Sequence, residues 1–78
     1  MKTTDLIELT DNKKYIVAAK VLHHDKIYLC LVEFNNNTNV RYGYLDEDEI
    51  VFIKQESIDS ILLLKLVKEM TKTLKKMS

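Results

Sequence analysis

Lys26-Ile27-Tyr28-Leu29-Cys30-Leu31-Val32-Glu33-Phe34 is the stretch from which the fold is read. Side chains alternate across a strand, so Ile27, Leu29 and Leu31 point one way and Tyr28, Cys30 and Val32 the other. Both sets are apolar. A strand dry on both sides sits centrally, in a sheet covered twice or curled into a small barrel. Residues 15–22 are nearly as two-sided, with Tyr15, Val17, Ala19 and Val21 on one face and Ile16, Ala18 and Leu22 on the other. Further β-rich runs lie at 5–9, 40–45 and 49–54, and the central one is read as 27–34.

Between the runs stand Thr10-Asp11-Asn12, His24-Asp25, Asn35-Asn36-Asn37-Thr38-Asn39 and Asp46-Glu47-Asp48. Asp and Asn tolerate left-handed backbone and bond locally to the chain, which suits them to turns in a sequence with no Pro and a single Gly43. Loops this short make sequential antiparallel pairing the simplest topology, a β-meander over residues 5–54.

After Lys54 the apolar period changes to that of a helix, expected over 58–76 with Ser57 as its N-cap. Lys72, Lys75 and Lys76 fall in its last turns, where they complement the negative end of the helix dipole. Leu63, Leu66, Val67, Met70, Leu74 and Met77 form one stripe, which is expected to face the sheet. Ile58, Ile61, Leu62 and Leu64 fall largely outside that stripe. A helix apolar nearly all round at one end is covered from more than one side. These four residues are therefore expected to meet a protein partner, most simply a second copy of the chain. The fold class is α+β: a five-stranded antiparallel meander, twisted or curled, with one long C-terminal helix, in one domain spanning 1–78.

Ile7-Glu8-Leu9-Thr10-Asp11, Lys14-Tyr15-Ile16-Val17 and Lys26-Ile27-Tyr28-Leu29-Cys30-Leu31-Val32 resemble the YrzB-like family of short bacterial proteins. The likeness covers residues 5–55. Where that family usually carries Gly, this chain has Asn12-Lys13 and Asp25, and its Lys-rich helix tail also departs from the pattern. The resemblance implies a small β-rich bacterial protein and brings no catalytic residues.

At 78 residues the chain buries only about 60% of its unfolded surface, so dense packing or oligomerisation must support a thin core. A composition 46% hydrophobic and 31% charged belongs to a folded chain. Twelve basic and twelve acidic side chains cancel, which removes the field expected of a general nucleic-acid binder. Two other readings compete with the interaction module. In one, Tyr42 and Tyr44 stack bases while Arg41 and the helix lysines reach phosphates. In the other, Asp46-Glu47-Asp48-Glu49 docks on a basic protein, as in an inhibitor or adaptor from a mobile element. The bland accounts are that Gly43 allows a bulge or close approach, and that the acidic run is a solvated hairpin tip.

No enzyme, metal or cofactor is expected. His23 and His24 are neighbours in an extended segment, so their imidazoles should point to opposite faces. Cys30 lies inside an apolar strand, where a thiol is an inert core residue. The acidic run lacks the spacing and the glycine of a calcium loop. The N-terminus has no apolar core for a signal peptide, and the longest apolar stretch, 61–64, is too short to span a bilayer. With a lone cysteine, the expected compartment is the reducing cytoplasm.

Overall fold

A computed structural model describes residues 2–77, apart from the side chains of Asn37 and Met77. Five strands, β1 (Leu6–Glu8), β2 (Lys14–His23), β3 (Lys26–Glu33), β4 (Asn36–Asp46) and β5 (Glu49–Ile53), pair antiparallel in the order β1-β2-β3-β4-β5. The sheet curls into a half-barrel, and one C-terminal helix, α1 (Ser60–Met77), packs against it. Among the described residues no helix is long and apolar enough to cross a membrane.

The two dry faces of β3 separate two cores. Cys30 joins Ala19 and Tyr42 beneath Ile58, Leu62 and Leu66, so the helix covers that side. Leu29 and Leu31 join Tyr15 and Val17 on the other, where Ile7, Leu9, Leu45 and Ile50 close over them. The second cover is supplied by the curl of the sheet itself.

In β2 the simple alternation fails. Val17 stands opposite Leu31 and Ala19 opposite Cys30, so two steps on β2 match one on β3. This bulge turns Tyr15 and Val17 toward one core and Ala19 and Val21 toward the other, although all four were expected on one face. The third hairpin also differs from expectation. Its turn is confined to Phe34 and Asn35, and β4 begins at Asn36 within the run expected to be loop.

The helix starts later and presents a different face than its period suggests. Ser57 belongs to a 3-10 turn, Gln55–Ser57, and Ile58 follows in extended conformation. The cap is Asp59: its Oδ1 accepts the Ile61 N–H at 2.8 Å and its carbonyl accepts the Leu63 N–H at 2.9 Å. Leu62, Leu66 and Thr73 are buried, whereas Val67 and Leu74, assigned above to the core stripe, are 38% and 37% exposed. Met77 of that stripe lies outside the described side chains. Thr73 tolerates burial because its hydroxyl donates to the Glu69 carbonyl at 3.0 Å.

Candidate functional site

The four residues expected to meet a partner separate into two pairs. Ile58 and Leu62 belong to the helix-side core, at 9% and 3% exposure, so they are corrected to core positions. The extended step at Ile58 aims its side chain inward before the helix begins, and Leu62 follows on the same side as Leu66. Ile61 and Leu64 remain 62% and 59% exposed. At about 100° per residue, apolar side chains and two threonines cover about 200° of the helix, from Leu62 round to Leu64. The sheet takes the half centred near Leu66. Leu64, Val67, Thr71 and Leu74 stay on the outer half, with lysines 65, 68 and 72 and Ile61 beyond them.

A second cluster forms where β2 turns into β3. His24 and Asp25 both have positive φ, 49° and 62°, as a two-residue type I′ hairpin requires. The left-handed step breaks the strand alternation on which opposite-facing imidazoles depended. The His23 and His24 rings instead meet edge to face, with centroids 4.1 Å apart. Asp59, the helix cap, enters from the other side, and its Oδ2 lies 3.6 Å from His23 Nε2. One ligand atom from each of His23, His24 and Asp59 falls within 4.8 Å of the other two. They border a cleft of about 220 Å³ shared with Tyr28, Tyr44 and Ser57. The Ile61 N–H, assisted by neighbouring His23, holds the Asp59 carboxyl below its usual range despite some opposing desolvation. Adjacent histidines gave no sign of this convergence. The signal available in the sequence was that His24-Asp25 occupies a two-residue turn, where neighbours need not diverge.

The residues of a base-stacking platform do not assemble. Tyr42 is buried in the helix-side core, and its hydroxyl pKa is raised by burial and by nearby Cys30. Tyr44 packs against Tyr28 with ring centroids 5.9 Å apart and carries the Lys26 ammonium 4.5 Å above its ring. Arg41 belongs to the opposite face, with its guanidinium 4.0 Å over Phe52 and 3.9 Å from Asp11. Gly43 marks a close approach, without a bulge, between β4 and β5. The acidic residues 46–49 form the exposed β4–β5 tip, turning at Glu47-Asp48. Cys30 is buried, its Sγ 3.5 Å from Met70 Sδ, and burial pushes its thiol pKa up to about 12. A group so rarely ionised is a poor nucleophile at neutral pH.

Neither a protein-family model, nor a curated protein, nor a solved structure matches the chain. The resemblance over residues 5–55 rests on its motifs alone.

Proposed function

We propose that the protein is a non-enzymatic interaction module of the cytoplasm that pairs with a second copy of itself through the outer face of α1. The observation that carries this reading is the exposed seam of Leu64, Val67, Thr71 and Leu74, flanked by Ile61. Its 3-4-3 spacing is that of helices packed side by side. A closed two-fold pairing lets one surface serve both subunits.

Magnitudes set the strength of such a pair. Ile61 and Leu64 are about three-fifths exposed, so burying the remainder in both protomers contributes about 4–7 kcal/mol, out of about 1.5–3 kcal/mol for each side chain buried from full exposure. Association itself costs about 4–15 kcal/mol. The dimer therefore draws on Val67 and Leu74 as well, and its dissociation constant should be on the order of micromolar. The lysines beside the seam repel across the interface, so added salt should strengthen the pairing by screening them.

The test is Ile61→Lys with Leu64→Glu, followed by sedimentation analysis and circular dichroism. The expected outcome is a folded monomer replacing a dimer, while Leu66→Lys in the buried stripe unfolds the chain. A wild type that stays monomeric at high concentration in high salt sinks this reading. The acidic tip would then be the next surface to examine, by charge reversal at Asp46 and Asp48. The nucleic-acid alternative is less well supported, because Tyr42 is buried and Arg41 faces away from both tyrosines.

A further inference from the structure

We propose that His23, His24 and Asp59 form a binding site for a divalent transition-metal ion of the zinc, nickel or cobalt class. The donor set decides the class. Two imidazoles and one carboxylate, with no thiolate, suit borderline metals, whereas calcium and magnesium require oxygen ligands. Three protein ligands, leaving one position for solvent, are also a common zinc arrangement.

The geometry is close to what such an ion demands. Bonds of about 2.0–2.1 Å in a tetrahedron place ligand atoms about 3.3 Å apart. His23 Nε2 and Asp59 Oδ2 are 3.6 Å apart, and the third donor falls within the 4.8 Å that encloses the set. His24 is exposed at the turn, so its ring has solvent on one side and room to adjust toward the other two donors.

Three features of the surroundings point to a ligand. His23 Nε2 is shut off from solvent and has no hydrogen-bond partner, the Asp59 oxygen lying beyond hydrogen-bond range. A buried polar atom left in that state is unfavourable, and each such atom calls for an explanation. The second feature is a division of labour within one carboxylate. Asp59 Oδ1 is held by the Ile61 N–H, which fixes the group and leaves Oδ2 directed at His23. A ligating carboxylate steadied by an outer hydrogen bond is the usual arrangement around a bound metal. Third, His24 occupies a left-handed position that Asn or Gly would fill with less strain. The imidazole there brings a third donor to the set.

Two groups oppose a cation. The amino end of α1 carries partial positive charge, and the Lys26 ammonium sits over Tyr44 on the cleft wall. The Asp59 carboxylate lies between the helix end and the cluster and offsets the first. Affinity should accordingly be moderate, on the order of micromolar, well short of a structural zinc site.

The test uses the full chain without an affinity tag, stripped with a chelator. Calorimetric titration with Zn²⁺, Ni²⁺, Ca²⁺ and Mg²⁺ at neutral pH is paired with the visible absorption of Co²⁺. Binding of one Zn²⁺ or Ni²⁺ per chain is expected, with no response to Ca²⁺ or Mg²⁺. His24→Asn suits the left-handed turn, and Asp59→Asn keeps a good helix cap, so both variants should retain the fold. Each should weaken metal binding at least tenfold and alter the Co²⁺ spectrum, with circular dichroism unchanged. Absence of saturable Zn²⁺ and Ni²⁺ binding, or variants that bind like wild type, would overturn the proposal and leave His23 and Asp59 as an ion pair beside a turn. Sedimentation of the same samples separates this result from self-association, which neither substitution touches.

Discussion

A methyl group on Gly43 would meet Ile50 Cγ2 and the Val51 carbonyl oxygen, each at 2.8 Å. The side-chain carbon can rotate away, but the carbonyl belongs to the β4–β5 ladder and cannot. Removing a strand glycine lowers the entropy of the unfolded chain and gains about 0.5–1 kcal/mol, whereas overpacking against fixed backbone costs about 1–3 kcal/mol. The second effect is the larger. Gly43→Ala should therefore lower stability by about 1 kcal/mol or more, measured by urea denaturation. An unchanged midpoint would mean that β5 can move away freely. Gly43 stood out in the sequence as a bulge or a close approach, and the register decides for the latter. The histidines show the opposite case. Their identity was plain, but whether two neighbours converge depends on the sign of two φ angles, which Asp25 at the turn permits without dictating as Gly would.

At the scale of elements, most of the architecture was legible. Alternation on β3 predicted a central strand covered twice, and the split into two cores follows from it. The order of strands followed from short loops. What periodicity did not set was phase. An apolar arc of about 200° admits several ways of facing a sheet, and the choice is made at Ile58, which enters the core before the first helical turn. In β2 a single unpaired residue reversed the phase of all that follows, and Ala18-Ala19 gives no composition signal for a bulge. A substitution pair measures the orientation of α1 directly. Leu66→Ala should cost about 2–5 kcal/mol, since the side chain is wholly buried. Val67→Ala, one residue on, should cost under about 1 kcal/mol, because its side chain is partly solvated in the monomer. Thermal denaturation of dilute protein would compare them. Equal losses would show that the sheet takes the centre of the arc.

For the molecule as a whole, two carboxylates with depressed pKa values should contribute to the acid limit of stability. Asp11 accepts the Lys13 N–H and the Tyr15 hydroxyl, with Lys13 and Arg41 adding attraction, and these lower its pKa from the ordinary 3.8. Asp59 is lowered from the same value by the Ile61 N–H and by His23. A carboxyl whose folded pKa is depressed binds protons more readily when unfolded. Its contribution is thus fully present above the unfolded pKa and is lost as pH falls through the folded one. From these two groups, Tm should be level above about pH 5 and should fall below about pH 4. Asp11→Asn with Asp59→Asn should flatten that acid limb. If the limb keeps its full slope, other carboxylates govern it.

The neighbour-to-neighbour order of the strands also has a consequence for how the chain finds its fold. Three of the four hairpins turn through two residues, at 24–25, 34–35 and 47–48, so each pairing closes a short loop and surrenders little chain entropy. Such a sheet can zip from any hairpin, and no proline isomerisation delays it. The helix is different. To cover β2 and β3 it must return past β4 and β5, joining residues as distant as Cys30 and Met70, 40 positions apart. The entropic barrier of folding is thus concentrated in one docking event, and the helix that comes last to the sheet should be the first element to leave it.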